Sequence, residues 1–309
     1  MKIVFMGTPD FSVNALESLI EAGHEVAAVV TQPDKKKGRG EKVQFSPVKE
    51  AALKHGLTIY QPERVRDEEF VNILKDIAPD VIIVIAFGQI LPKEILELAP
   101  YGCINVHASL LPKYRGAAPI QWAVIDGEEK TGVTTMQMDE GLDTGDILET
   151  AEIVLDEKET GGSLFDKLAS VGAKLIVQTL ENAQNGKLNP VKQDNEKSNY
   201  AKMLKKELGN IDFSKSAVEI ERLIRGLNPW PSAYTKFREK TLKIWDADVS
   251  EKDYEGNYGE IVDFDKTTFT VKTGKGSLII NELQLEGKKR MTTDAFLLGN
   301  KLEKGEVLG

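Results

Sequence analysis

The run Val81-Ile82-Ile83-Val84-Ile85 is five consecutive β-branched residues with no polar side chain to turn toward water. A strand sends alternate side chains to opposite faces, so this run suits a sheet covered on both sides, as in parallel sheets layered between helices. The chain around it agrees. Residues 2–6 are a short apolar run ending in Gly7-Thr8-Pro9-Asp10, and residues 11–21 place Phe11, Leu16, Leu19 and Ile20 on one helical face. Residues 26–31 read as the next strand, and Ser46-Pro47, an N-cap followed by proline at the first helical position, opens a helix through Lys54. Strands alternating with helices predict an α/β fold built on an open, doubly wound, mostly parallel sheet.

The Gly7-Thr8-Pro9-Asp10 turn sits where a dinucleotide fold carries its glycine fingerprint, but it has one of the three glycines, and Pro9 removes an amide that would cradle phosphate. A nicotinamide cofactor is not expected. From about Asn189 the chain becomes polar, which predicts a linker over residues 190–207. Beyond it, residues 217–227 read as an amphipathic helix, and residues 241–245, 259–264, 268–272 and 277–285 as short strands between glycine or acidic turns. Strands that short and close predict a small all-β barrel or sandwich, for which the oligonucleotide/oligosaccharide-binding (OB) type is one fit. The expected domains are residues 1–189, the α/β body, and residues 208–309, the small β domain.

A chain of 309 residues has enough length for two cores. Its 49 acidic against 40 basic residues give a net charge of −9, which by itself argues against a polyanionic partner. The lone cysteine, Cys103, has no internal disulfide partner and apolar neighbours, so a core position in a reducing compartment is expected. The first seven residues hold too short an apolar run for a signal-peptide core, and no stretch approaches ~18 uninterrupted apolar residues, so neither secretion nor a membrane span is expected, and the cytoplasm fits best.

Three histidines can be weighed singly. His24 and His55 lie beside glycines at helix ends and read as surface turn residues. His107 follows the apolar Gly102-Cys103-Ile104 in Asn105-Val106-His107, and residues two apart on a strand project together. At the carboxyl end of a strand, where open α/β sheets bind ligands, an amide donor beside an imidazole suits acyl transfer: the amide supports an oxyanion while the imidazole moves a proton. Spacing alone equally allows a histidine that caps a strand end. The loop from Asp139 to Asp146 carries four carboxylates in eight positions, one of which can orient His107, although an ordinary acidic turn fits the same spacing. No His/Cys cluster points to a metal.

The segment Asn105-Val106-His107-Ala108-Ser109-Leu110-Leu111-Pro112-Lys113-Tyr114-Arg115-Gly116-Ala117-Ala118-Pro119-Ile120, with Gly141-Leu142-Asp143-Thr144-Gly145-Asp146-Ile147, closely resembles the folate-dependent formyltransferases. The start Phe5-Met6-Gly7-Thr8-Pro9-Asp10-Phe11 and Ala86-Phe87-Gly88-Gln89-Ile90-Leu91-Pro92 resemble the branch that acts on methionyl initiator tRNA, and the likeness runs essentially the full length. It implies a Rossmann-like formyltransferase domain, an OB-like C-terminal domain, and transfer of formyl from 10-formyltetrahydrofolate to the α-amino group of methionine on initiator tRNA, without a metal and by a monomer. It also implies catalytic roles for Asn105, His107 and Asp143. The folate would lie against Phe87, Gly88, Gln89, Ile90 and Leu91, whose backbone would read the pterin, and against Ser109, Leu110, Leu111 and Pro112.

Residues 208–309 hold 16 basic and 17 acidic side chains, so the acidity is concentrated in the first two-thirds. Three basic clusters stand out: Lys35, Lys36, Lys37, Arg39 and Lys42; then Lys202, Lys205 and Lys206 of the basic linker region; then Lys288, Lys289 and Arg290. A lysine run alone is a solvated loop. In the resemblance these clusters become phosphate contacts that position tRNA without reading its sequence. Sugar-nucleotide and glycinamide formyltransferases share the Asn, His and Asp set, but neither requires the lysine-rich loop and the glycinamide enzyme lacks an appended β domain; a formyltetrahydrofolate deformylase reuses the same residues with water as acceptor, and a formylation assay offering initiator tRNA, small amines and water separates all three. Arg39→Ala is expected to raise the Michaelis constant for tRNA and flatten its salt dependence; unchanged tRNA kinetics across a salt series would count against the loop's role.

Overall fold

The structure is a computed structural model describing residues 1–37 and 42–309. Its first sheet has seven strands: β1 Lys2–Gly7, β2 Glu25–Val30, β3 Ile59–Tyr60, β4 Val81–Ile85, β5 Cys103–His107, β6 Lys130–Gln137 and β7 Ile147–Val154, in the order β7-β6-β5-β4-β1-β2-β3. The pairs β5–β4, β4–β1, β1–β2 and β2–β3 are parallel, whereas β6 runs antiparallel to both β5 and β7. All five side chains of β4 are buried, as its unbroken β-branching requires. Helix α1, Val13–Glu21, follows a 3-10 turn at Asp10–Ser12, and α2, Pro47–Lys54, starts under a cap in which Ser46 accepts from the Lys49 amide at 3.1 Å. Then come α3, Glu68–Ile77, and α4, Lys93–Leu96. Cys103 lies in the core, and burial pushes its thiol up to about 12.

The chain folds into two units that are not continuous in sequence. One comprises Met1–Gly116, Lys130–Val154 and Phe165–Ala201; the other comprises Ala117–Glu129, Leu155–Leu164 and Lys202–Gly309. Helix α5, Pro119–Asp126, therefore belongs with α7, Ala217–Gly226, and the helix α6, Gly161–Gln184, starts in one unit and continues in the other. Ala118, Leu204 and Leu227 form the buried centre of that helical packing, with Trp122, Ile125, Leu208 and Leu223 around them.

The second sheet is antiparallel: β8 Ala233–Phe237, β9 Lys240–Ser250, β10 Ile261–Phe264, β11 Phe269–Lys272, β12 Ser277–Leu285 and β13 Met291–Thr292, with the path β8-β9-β12-β11-β10 and β13 on β12. Helix α8 is Thr293–Gly299. Strand β9 outruns the expected residues 241–245 because a bulge at Asp246 changes the inward phase from Leu242 and Ile244 to Ala247. The tail reaches both edge strands: the Ile261 amide donates to Glu306 O at 2.8 Å and the Gly309 amide to Lys236 O at 3.0 Å. Among the described residues no helix is long and apolar enough to cross a membrane.

Helix α7 opens with a capping box, Ser216 accepting from the Glu219 amide at 3.2 Å while the Ser216 amide donates to the Glu219 carboxylate at 3.0 Å. Trp122, Trp230 and Trp245, the chain's three tryptophans, all lie in the second unit. Ser216→Ala should cost that unit about 1 kcal/mol, read as a lower urea midpoint in tryptophan fluorescence.

Candidate active site

Strand β5 sends Cys103, Asn105 and His107 to one side and Ile104 and Val106 to the other. Its last residue reaches the carboxyl edge of the parallel part of the sheet. The Asn105 Nδ2 donates to Val84 O on β4 at 2.9 Å, which fixes the amide's orientation, and its Oδ1 is buried without a partner. An unpaired buried acceptor is costly, so its persistence at a strand end is a mark of a ligand site. His107 is 7% exposed. Its Nε2 donates to Tyr114 O at 2.9 Å, leaving Nδ1 facing the Asp143 Oδ2 at 3.7 Å.

Asp143 arrives from the far end of the strand. Because β6 is antiparallel, Gln137 lies beside Ile104, and the loop after β6 must come back along the face of β5 to reach His107. Asp139 builds that loop, its Oδ1 accepting from the Gly141 amide at 3.0 Å and the Thr144 hydroxyl at 2.7 Å. Asp143 sits at φ +52° and its Oδ2 also accepts from the Gly116 amide at 2.8 Å. Gly145 passes so close to β6 that a Cβ there would lie 1.7 Å from Gln137 O. The four-carboxylate loop is thus sorted: Asp139 is structural and Asp143 faces the imidazole.

The expected folate segments flank this point. Phe87 and Leu91 are buried, Gly88 has φ +87°, and Ile90 is 89% exposed. The Phe87 carbonyl accepts from Thr8 Oγ1 at 3.0 Å and Gln32 Nε2 at 3.1 Å, so the turns after β1 and β2 anchor the loop after β4. Here Thr8 gives the Gly7-Thr8-Pro9-Asp10 turn a supporting task. Gln89 turns inward: its Oε1 accepts from the Val65 amide at 2.9 Å and its Nε2 donates to Pro62 O at 3.2 Å. Ser109 is likewise used internally, donating to Lys113 O at 2.6 Å, while Thr134 Oγ1 donates to Ser109 O at 2.7 Å and accepts from the Leu111 amide at 3.1 Å. Leu110 is half-buried, Leu111 is buried and the Leu111–Pro112 peptide is cis.

Of the expected tRNA contacts, Arg39 lies outside the described residues; Lys35, Lys36 and Lys37 form a strand, Lys35–Lys37, paired antiparallel with Lys42–Gln44, which Lys42 begins. Lys202, Lys205, Lys206, Lys288 and Lys289 are exposed. Arg290 is exposed too but engaged: it pairs with Glu282 through Nε at 2.8 Å and lies 5.1 Å from the Trp245 ring centroid. His55 is bonded to Glu17 at 2.5 Å, and His24 faces the N-terminal amine at 3.3 Å, with burial and that charge holding its pKa down. Among the described residues no group of three or more His, Cys, Asp or Glu is arranged to hold a metal.

Sequence reasoning missed the support behind the site. Arg115, 9% exposed, donates to Gln193 Oε1 and Asn195 Oδ1, and Asn199 receives the amides of Tyr114 and Arg115. The stretch expected as linker therefore pairs with the segment after β5, extending into the short parallel bridge of Tyr200 with Arg115. The signal available was its three side-chain amides.

A model described as formyl transferase matches residues 1–180, and one for the formyl transferase C-terminal domain matches residues 203–301. The chain belongs to the formyl transferase family. Among members of that family it is 61% identical to a methionyl-tRNA formyltransferase of Lachnospira eligens and 52% identical to one of Clostridioides difficile, each alignment covering 100% of both chains. A sugar 3N-formyl transferase, WlaRD, solved in the presence of dTDP and 5-N-formyl-THF, superposes with TM-score 0.68 at 22% identity over 94% of this chain and 99% of its own, a likeness of fold. Gly145→Ala should displace the Asp143 loop and cut formyl-transfer turnover by about 10²-fold, measured at saturating substrates with the melting profile recorded alongside.

Proposed function

We propose that this chain transfers the formyl group of 10-formyltetrahydrofolate to the α-amino group of methionyl initiator tRNA, producing N-formylmethionyl-tRNA for translation initiation. The reading is carried by full-length identity of 61% to a methionyl-tRNA formyltransferase, and it is supported by Asn105, His107 and Asp143 meeting at one strand end. The catalytic region is residues 1–189, with residues 208–309 and the cations at Lys35, Lys36, Lys37, Arg39, Lys42, Lys202, Lys205, Lys206, Lys288, Lys289 and Arg290 holding tRNA phosphates. The enzyme works as a cytoplasmic monomer, as its family resemblance implies.

The folate supplies the formyl group and the nitrogen that departs. A primary amide has two donor protons and an acceptor oxygen. Asn105 donates one N–H to Val84 O and keeps the other for the formyl oxygen as charge develops there, while its unpartnered Oδ1 accepts a hydrogen bond from the attacking amine and so orients it. With Nε2–H held by Tyr114 O, the Nδ1 of His107 is the atom that takes the amine's proton and returns one to the departing nitrogen. Asp143, at 3.7 Å, is too far for a direct hydrogen bond but near enough for its charge to offset positive charge that develops on the ring during the transfer. Since Gln89 points inward, the main chain of residues 87–91 and the exposed Ile90 face the pterin, and Ser109, Leu110, Leu111 and Pro112 line the other side.

Asn105→Ala, His107→Ala and Asp143→Ala should each lower turnover by orders of magnitude with unchanged circular dichroism; loss of one oxyanion donor typically costs about 2.7–4 kcal/mol in the barrier. A formylation assay offering charged initiator tRNA, small amines and water to the wild type should consume formyl-folate only with the tRNA. Near-normal turnover in His107→Ala, or equal use of water, overturns the proposal.

A further inference from the structure

One side-chain amide ties together the two loops that hold His107 and Asp143. The Nε2 of Gln193 donates to the backbone carbonyls of Asp143 at 2.9 Å and Gly145 at 2.7 Å, and its Oε1 accepts from Arg115 Nε at 3.0 Å and Nη2 at 2.7 Å. Two donor protons and two lone pairs are the full capacity of a primary amide, and all are used. The residues beside Arg115 complete the connection: Tyr114 O receives the His107 Nε2–H, and the Gly116 amide donates to Asp143 Oδ2. The bonds thus run from His107 through Tyr114, Arg115 and Gln193 to Asp143, and the ring they form is open only across the 3.7 Å between imidazole and carboxylate.

Asp143 needs such a hold. It is a non-glycine residue at φ +52°, a conformation that costs energy unless its surroundings impose it. Its own side chain makes one of the bonds; Gln193 grips the main chain on both sides of Thr144. The Arg115 end is equally fixed, since Asn195 Oδ1 accepts a further bond from Nη2 at 2.9 Å.

We infer that Gln193 is a positioning residue for formyl transfer: by clamping the Asp143 loop to the segment that holds His107, it sets the distance between carboxylate and imidazole. The inference rests on the function proposed above. A competing role, simple neutral partnership for the buried Arg115, makes the opposite forecast for one substitution. Gln193→Glu keeps both acceptors for Arg115 but replaces the donors to Asp143 O and Gly145 O by a repelling oxygen.

The test measures kcat and the KM values for folate and tRNA in wild type, Gln193→Glu and Gln193→Leu, and in Gln193→Glu and Gln193→Leu combined with Asp143→Ala, with melting temperatures recorded. Both single variants should lose about 10–100-fold in kcat with KM values within about twofold, and in the Asp143→Ala background they should lose little more, because their effect passes through Asp143. Gln193→Glu at wild-type kcat overturns the inference, as does the same fold-loss in the presence and absence of the Asp143 carboxylate. Should Gln193→Leu not fold, the isosteric Gln193→Glu decides alone. A wild type that moves no formyl group removes the proposed function and the inference with it, whereas an active wild type with unaffected Gln193 variants removes only the inference.

Discussion

Strand Cys103–His107 is bonded in parallel to Val81–Ile85 on one side and antiparallel to Lys130–Gln137 on the other, and the site depends on that change of direction. The parallel bond brings His107 to the edge where the loops after β1 and β4 converge. The antiparallel bond forces the carboxylate-bearing loop to start at the wrong end of the strand and return along its face. Glycine at 145 follows from that path, since any side chain would meet the Gln137 carbonyl. So does the need for outside support, because a loop that turns back over a sheet lacks a ladder of its own.

That support is made of neutral amides. Gln193, Asn195 and Asn199 supply oxygens to a nearly buried guanidinium and its backbone, and Gln193 adds donors for the Asp143 loop. A carboxylate in Gln193's place would satisfy Arg115 but offer the loop carbonyls nothing. Neutral partners also satisfy the guanidinium without adding another carboxylate to the segment that holds Asp143. The inward Gln89 does similar work for the loop after β4, exchanging both ends of its amide with the backbone at Pro62 and Val65.

The features that proved legible are local ones. Unbroken β-branching in Val81–Ile85 announces a strand covered on both faces, Ser46-Pro47 announces a helix start, and the two-residue spacing of Asn105 and His107 puts both on one side of a strand. Strand Lys130–Gln137 was opaque because buried threonines at 131, 134 and 135 interrupt its hydrophobic run, and the bulge at Asp246 hid half of Lys240–Ser250 by breaking the alternation. Four carboxylates crowd residues 139–146, and spacing offers no way to tell Asp143 from Asp139; family resemblance made the choice. Gln193 stayed invisible because its four bonds reach residues 48 to 78 positions away, while the stretch around it has the composition of a linker. Total charge misled for the same reason in reverse, averaging an acidic body with local clusters of lysine.

Helix Pro119–Asp126 lies in the sequence between Arg115 and the Asp143 loop, yet its packing partner Ala217–Gly226 is encoded far downstream, and Gly226 meets it so closely that a Cβ there would lie 2.4 Å from Ile125. On the ribosome, where the N-terminal part emerges first, Ala118, Trp122 and Ile125 must wait for Leu204, Leu223 and Leu227 before their apolar surface is covered. A nascent polypeptide stopped near residue 200 would therefore carry Pro119–Asp126 with its apolar side still uncovered, so the burial of a helix encoded in the first half of the chain waits on the synthesis of the second.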